Sequence, residues 1–330
     1  MSNGAACKVA IVDSGIDLNL YESHVVKYVE YAENAGNEGE YDSNGHGTLC
    51  TSAMLSVNPN LQLVVIKVLN EKNMCSDERL LRALNLLKDV DADIINLSLA
   101  THSTESFERY KKVVAELTDQ GKVVIAATAN GNKDSLLSGL DRTIGVYGNL
   151  FCAAKDFWYQ KGNAVQCVAD SLPYLYRGRH GEYELFGGNS KATAIFSGIV
   201  SLHMDELKAC NFEEKEIILQ RMAKRQSWVK GEICADPKMI EECNIEPVRD
   251  ELYWKVAEVM AGKFAVGVED IVNRSDKRLY EWGLTRYNAF DIVEALERET
   301  GTKLPYSKIN FFWFGSLDAL CNNIRMVKAV

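Results

Sequence analysis

Short apolar runs separated by longer polar and amphipathic stretches are the main pattern in the first half of the chain. Each run is rich in branched apolar residues and stops at polar or turn-forming residues, which is typical of a buried strand. We therefore predict four strands, at residues 8–12, 61–69, 94–99 and 123–127.

Between these runs, apolar residues recur at helical spacing. Ser76 is a suitable N-cap for a helix that places Leu80, Leu84 and Leu87 on one face. A later helix ends where Gly121 occupies the position of a C-terminal cap. Strands that alternate with helices predict a mostly parallel sheet with helices on both faces, which is a doubly wound α/β domain.

The same alternation continues further along the chain. Residues 143–147 and 165–169 are strand candidates, and residues 174–186 have the pattern of a hairpin turning around glycines. An apolar helix is predicted next, at residues 192–207. We therefore predict that the first domain comprises residues 1–208.

The pattern changes after this helix. Residues 209–247 combine helix-forming charged residues with glycine and proline, and we predict a helical linker there. Residues 248–330 contain further amphipathic stretches separated by a long first loop, which predicts a small four-helix bundle. Its helices are predicted at 251–264, at 286–299, around Tyr306 and at 316–326.

Composition narrows the classes of protein to which the chain can belong. A net charge of −9 without any basic run argues against nucleic-acid binding. No apolar stretch is long enough to span a membrane, and the N-terminus lacks the pattern of a signal peptide. The nine cysteines form no Cys-x-x-Cys pair, which favours free thiols and a cytoplasmic location.

Three polar residues stand at positions where chemistry is favoured. Asp13 ends the first predicted strand, His46 lies between two glycines at a helix start, and Ser190 precedes the apolar helix. Each also has an ordinary structural explanation: a turn aspartate, a structural histidine and a helix N-cap. Together they follow the order Asp, His, Ser, which is the order of a subtilisin-type catalytic triad.

The chain resembles the subtilisin-like serine proteases over residues 7–208. The similarity is carried by an aspartate motif, a histidine motif, a serine motif, an oxyanion segment and a segment that pairs with substrate backbone. In this order, they are residues 9–17, 46–48, 188–193, 123–130 and 95–100.

The resemblance implies a role for each matched residue. Ser190 would be the nucleophile, His46 the general base and Asp13 the residue that orients the imidazole. The Asn130 amide and the Ser190 backbone N–H would bind the oxyanion. Substrate binding is expected at Ser98, Leu99, Ala100, Thr128 and Ala129.

Several positions depart from the family pattern. Asn189 and Lys191 flank the serine where threonine and methionine are usual, and Ala100 and Ala129 replace glycines of the primary specificity pocket. The loops that often hold calcium in secreted relatives are short here, and no acidic cluster has calcium-loop spacing. We therefore expect no metal and no cofactor.

The C-terminal bundle resembles an acyl or peptidyl carrier protein. Residues 279–284 and 289–297 are similar to the loop and second helix of a carrier, and 302–305 to the segment that follows. Carriers have a serine that takes phosphopantetheine where this chain has Arg286. The alternative interpretation is a generic helical bundle that supports the protease. We favour a carrier fold that has lost the modification and serves for docking.

These observations lead to one main hypothesis and two alternatives. The main hypothesis is a cytoplasmic serine endopeptidase of narrow specificity that matures a precursor peptide or partner protein, with the bundle docking the substrate or another partner. The first alternative is an interaction or scaffold protein in which the protease fold mainly binds. The second is a general intracellular turnover protease.

Overall fold

The computed structural model describes residues 6–31, 41–101, 104–129, 131, 133–151, 155–234, 236–239 and 248–329. Contacts divide the chain into two compact units. The first unit comprises residues 1–171, 177–181 and 187–235, and the second comprises residues 172–176, 182–186 and 236–330.

The strands of the first unit form one twisted sheet. The strands are β1 (Lys8–Asp13), β2 (Val25–Glu30), β3 (Gln62–Lys67), β4 (Ile94–Leu97), β5 (Val123–Ala127), β6 (Thr143–Asn149), β7 (Trp158–Tyr159) and β8 (Cys167–Asp170). Within the described residues these eight strands have the order β2-β3-β1-β4-β5-β6-β8-β7, and every neighbouring pair is parallel except β7 with β8.

Helices cover both faces of this sheet. The helices of this unit are α1 (Leu18–Tyr21), α2 (His46–Val57), α3 (Asp77–Leu86), α4 (Phe107–Asp119), α5 (Gly188–Ser201), α6 (Met204–Leu207) and α7 (Phe212–Met222). On one face α3 and α4 pack together over a core that includes Val12, Leu84 and Val114. On the other face α5 packs against α2 and against several central strands.

The predicted α/β architecture is therefore confirmed, with differences in detail. Ser76 caps α3 as expected, since its side chain accepts a hydrogen bond from the Arg79 backbone N–H. The sequence analysis missed the edge strand β2 and the two-residue strand β7. The apolar stretch predicted as one helix is two, because α5 ends at Ser201 and α6 begins at Met204.

The segment predicted as a linker begins inside the first unit. Residues 209–235 belong to that unit, and α7 packs against β7. The Tyr159 hydroxyl donates a hydrogen bond to the Glu216 carboxylate at 3.2 Å. Among the described residues, no helix is long and apolar enough to cross a membrane.

The second unit has its own hydrophobic core. Its hairpin strands are β9 (Tyr174–Arg177), of which Arg177 is assigned to the first unit, and β10 (Tyr183–Phe186). Leu175 and Leu185 from these strands are buried in the core that the helices share. The helices are α8 (Glu251–Phe264), α9 (Val268–Asn273), α10 (Leu279–Trp282), α11 (Ala289–Thr300) and α12 (Leu317–Lys328).

This arrangement is more complex than the four helices expected from the sequence. The short helices α9 and α10 occupy the stretch that was predicted as a long loop. The helix predicted near Tyr306 is only one 3₁₀ turn, Tyr306–Lys308. Short helices of this kind are stabilised by packing, since their own sequences carry little periodic signal.

Candidate active site

Asp13 lies at the carboxyl end of β1. This strand lies between β3 and β4 in the sheet, at the point where the chain order of the strands reverses. Ligand sites in open α/β sheets form at such switch points. The side chain is 1% exposed, and the Ser14 backbone N–H donates a hydrogen bond to its Oδ1 at 2.7 Å. The carboxylate is therefore held in one orientation.

His46 is the first residue of α2 and contacts this carboxylate directly. Its Nδ1 lies 2.8 Å from Asp13 Oδ1 and 3.0 Å from Asp13 Oδ2. A second backbone approaches closely at Gly47, because a Cβ there would lie 2.0 Å from the Gly15 carbonyl oxygen. Glycine is thus required where the two motifs meet.

The environment of His46 favours its protonated form. Burial is the largest single influence and would lower the pKa of the imidazole, but the Asp13 carboxylate and the Cys50 side chain together raise it well above its ordinary value of 6.5. An imidazole held this way accepts a proton readily at its other nitrogen. The Asp13–His46 pair has the form of a general base with its orienting carboxylate.

Ser190 lies in the first turn of α5. The helix begins at Gly188 and its N-cap is Gly187, so Ser190 is not the N-cap that one interpretation of the sequence allowed. Its hydroxyl donates a hydrogen bond to the Ser98 carbonyl oxygen at 3.1 Å, and the Ser98 hydroxyl donates to the Ser190 carbonyl oxygen at 3.2 Å. For nucleophilic attack the Ser190 hydroxyl must exchange this bond for one to a base.

A cleft of about 410 Å³ opens beside Ser190. Its walls include residues 98–101 after β4 and residues 127–129 at the end of β5, together with residues of the β3–α3 loop. All five residues predicted to bind substrate line it, namely Ser98, Leu99, Ala100, Thr128 and Ala129. Asn130, the predicted oxyanion residue, lies outside the described residues.

A buried aspartate that the sequence analysis did not single out organises the loop before His46. Asp42 is 3% exposed and accepts hydrogen bonds from the hydroxyls of Ser14 and Thr48. It also accepts from the backbone N–H groups of Asn44, Gly45 and Thr48. One carboxylate therefore joins the aspartate motif to the histidine motif. Its position four residues before His46, in a glycine-rich loop, was the only sequence signal of this role.

Asn189 also has a larger role than its sequence position suggested. The side-chain amide donates hydrogen bonds to the Thr128 hydroxyl at 2.9 Å and to the Ala129 carbonyl oxygen at 2.8 Å. Its Oδ1 accepts from the Gly148 backbone N–H at 2.9 Å. The Asn189 side chain therefore fixes the backbone next to Ser190 against one wall of the cleft.

The tip of the β9–β10 hairpin, which belongs to the first unit, contacts the histidine loop. The Arg179 guanidinium donates hydrogen bonds to the carbonyl oxygens of Asp42 and Ser43, at 3.1 and 3.2 Å. The His180 backbone N–H donates to Asp17 Oδ2 at 2.8 Å. The two Arg179 bonds fix the backbone that leads into α2, and the His180 bond holds the N-cap of α1.

Only one group of at least three possible metal ligands occurs among the described residues, and it overlaps the candidate triad. Donor atoms of Asp13, His46 and Cys50 all lie within 4.8 Å of one another. The Asp13–His46 hydrogen bond already uses two of these residues, and burial raises the pKa of the Cys50 thiol. The group is therefore better suited to proton transfer than to metal binding.

Comparison with known proteins adds to this geometry. Residues 4–150 match the model of the subtilase family. Subtilisin DY from Bacillus licheniformis is 31% identical over 151 residues, which are 43% of this chain and 52% of that protein. The intracellular serine protease of Paenibacillus polymyxa is 26% identical over 233 residues, covering 64% of this chain and 70% of that protein. The match thus spans about half the length of subtilisin DY.

Solved structures with the same fold extend the match beyond residue 150. A cold-adapted subtilisin-like serine proteinase aligns over 67% of this chain and 84% of its own, with a TM-score of 0.54 and 16% identity. A lanthipeptide protease aligns over 66% of this chain and 80% of its own, with the same TM-score and 18% identity. At these identities the structural likeness concerns the fold.

Proposed function

We propose that this chain contains a subtilisin-like serine protease domain and is an endopeptidase whose triad is Asp13, His46 and Ser190. The observation that carries the proposal is the bidentate contact of the Asp13 carboxylate with His46 Nδ1, at 2.8 and 3.0 Å, at the sheet edge where Ser190 lines a cleft. A buried carboxylate and imidazole in this order are the activating pair that a serine nucleophile needs.

The proposed reaction follows from these contacts. His46 takes the Ser190 proton as Oγ attacks the peptide carbonyl, and the protonated imidazole then gives that proton to the leaving amine. Asp13 stabilises the imidazolium without itself becoming protonated. The negative charge on the substrate oxygen is stabilised by the Ser190 backbone N–H and, as the family resemblance implies, by the Asn130 amide.

We propose a narrow preference for small side chains at the residue before the cut. Ala100 and Ala129 line the cleft beside Ser190, where the family has glycines. Each added methyl group fills space in a packed wall, and one methyl group changes discrimination by about 1–3 kcal/mol. Large aromatic side chains should therefore be poor substrates.

The proposed biological role is maturation of a precursor peptide or partner protein inside the cell. An intracellular serine protease is among the relatives, which supports a cytoplasmic location. A lanthipeptide protease among the structures with the same fold is compatible with action on a peptide precursor. One methyl group per pocket wall cannot select a single cellular substrate, so we propose that the carrier-like helical unit contributes a docking surface.

We expect the carrier-like unit to remain unmodified by phosphopantetheine. Arg286 offers no hydroxyl, the Ser275 hydroxyl is bonded to Asp318 Oδ2 at 2.8 Å, and the Thr285 side chain pairs with the Asn288 backbone at the start of α11. Wild-type protein incubated with coenzyme A and a broad-specificity phosphopantetheinyl transferase should show no mass gain. Arg286→Ser, which restores a hydroxyl at the carrier position, is the matched control. A gain on wild type would contradict the prediction.

The pH dependence of kcat/KM should report the raised pKa of His46. The imidazole must be neutral to accept the Ser190 proton, so kcat/KM should rise with pH, with a midpoint above 6.5. Asp13→Asn removes the charge that raises this pKa, and the midpoint of its residual activity should move to lower pH. A wild-type midpoint below 6.5 would contradict the raised pKa of His46.

A fluorophosphonate probe tests the proposed function directly. Wild type should be labelled and should cleave short peptides, whereas Ser190→Ala should do neither while melting at nearly the same temperature. No labelling and no cleavage by folded wild type would favour the scaffold alternative. Broad digestion of unfolded casein would favour a general turnover protease.

A further inference from the structure

A buried ion pair lies one residue beyond Ser190 in α5. The Lys191 ammonium is 2.5 Å from Asp170 Oδ2, and both side chains have no exposed surface. Asp170 is the last residue of β8, and its other oxygen lies 3.5 Å from the Phe151 backbone nitrogen, which donates to it. Burial lowers the pKa of Lys191, while the Asp170 carboxylate acts in the opposite direction.

Folding stability alone does not explain this pair. Removing two charges from water carries a large desolvation penalty, and apolar residues of similar volume are often at least as stabilising in such a place. Breaking such a pair on one side, by contrast, leaves an uncompensated buried charge. A buried ion pair next to the proposed nucleophile is therefore costly to form, and it is stable only while both of its charged partners are present.

The Lys191–Asp170 ion pair lies on one side of the first turn of α5, which carries Ser190. Successive helical residues point about 100° apart, so Asn189 and Lys191 project on opposite sides of Ser190. Asn189 is bonded to Thr128 and Ala129 after β5, and Lys191 is bonded to Asp170 at the end of β8. The turn that carries Ser190 is thus tied to the sheet on both flanks by polar side chains.

We propose that Lys191 and Asp170 are positioning residues for Ser190. Their ion pair fixes the first turn of α5, so that the Ser190 hydroxyl and backbone N–H keep the places that attack and oxyanion binding require. This inference rests on the proposed protease function. A displacement of reacting groups by about 1 Å can lower the rate about 100-fold, so a loosened turn should affect the chemical step strongly.

The test measures kcat and KM on a short peptide, normalised to active sites titrated with a fluorophosphonate. Lys191→Met and Asp170→Asn each break the pair, and Lys191→Met/Asp170→Leu replaces it with apolar side chains that leave no charge unpaired. Lys215→Met is the matched control, because Lys215 is also buried (2% exposed) but lies in α7 and bonds the Cys210 carbonyl oxygen. Melting temperatures are recorded for all variants.

We expect each single variant to lose about 100-fold in kcat per titrated site with KM near the wild-type value. The double variant should recover the melting temperature but keep kcat well below wild type, and Lys215→Met should change only the melting temperature. Wild-type kcat per titrated site in the double variant would overturn the positioning role while leaving the protease function intact. A folded wild type that neither cleaves nor titrates would instead overturn the proposed function itself.

Discussion

Replacing Ser190 by alanine is expected to lower kcat for peptide hydrolysis by about 10⁶-fold, which is the size of loss known for the nucleophile of subtilisin itself. The physical reason is that no other group is expected to form the acyl-enzyme once the hydroxyl is removed. The fold should change little, since the hydrogen bond that the lost hydroxyl donates to the Ser98 carbonyl oxygen is worth about 1 kcal/mol.

The triad should also behave as one unit. His46→Ala should cost about as much in kcat as Ser190→Ala, and the double variant should lose nothing further, because either change removes the same activated nucleophile. Asp13→Asn should lose about 10⁴-fold and keep some activity. The measurement is kcat from long-time hydrolysis assays, with melting curves as the control for folding. Multiplicative losses in the double variant would show that Ser190 and His46 act independently.

The sequence predicted the parts of this candidate site that lie in local motifs. Asp13 and His46 sit at the end of a strand and the start of a helix, and both junctions have strong local signals. The substrate-binding residues were predicted from the resemblance to the subtilisin-like proteases, and all five line the cleft beside Ser190.

Long-range polar contacts could not be predicted in the same way. Asp42 has the sequence context of a loop residue, and only the structure shows that its carboxylate accepts bonds from Ser14 and Thr48, which come from two different motifs. Lys191 and Asp170 are 21 positions apart, and a lysine in an apolar helix gives no indication of its partner. Such pairs are set by tertiary packing, for which sequence periodicity carries no information.

The β9–β10 hairpin illustrates a second limit. Its alternating pattern correctly predicted two strands, but a strand pattern does not say which core receives the apolar face. In the structure Leu175 and Leu185 join the core of the helical unit, although the next residues along the chain lead into α5 and Ser190. A domain boundary drawn at a single position therefore cannot separate the two units.

Deleting residues 248–330 is expected to abolish cleavage of a short peptide as well as cleavage of a docked substrate. The deletion removes the backbone carbonyls of Ile309 and Arg286, which accept bonds from the N–H groups of Leu175 and Leu185. It also exposes both leucine side chains, at about 1.5–3 kcal/mol each. The hairpin should therefore lose its structure.

Loss of the hairpin structure should also disturb the active site, because the hairpin is connected to it by hydrogen bonds and by the chain. Its tip carries Arg179, which holds the carbonyl oxygens of Asp42 and Ser43 before His46, and its second strand leads directly into the turn that carries Ser190. The backbone before His46 and the turn that carries Ser190 would then be less well fixed. Errors of about 1 Å in the positions of such groups lower rates about 100-fold. We therefore expect truncation to affect the chemical step for any substrate.

A milder variant distinguishes this structural effect from docking. Leu175→Ala in the full-length chain keeps the helical unit and weakens the packing of the hairpin in the core that the two share, with an expected loss of about 2–5 kcal/mol. It should lower kcat for the short peptide in the same direction as the truncation, whereas Tyr287→Ala, at an exposed position of the helical unit (65% exposed), should leave that kcat unchanged. The measurements are kcat and KM for one short peptide with all three proteins. A truncated enzyme that retains the wild-type kcat/KM would show that the hairpin holds its structure without the helices, and the helical unit would then be free to act in docking alone.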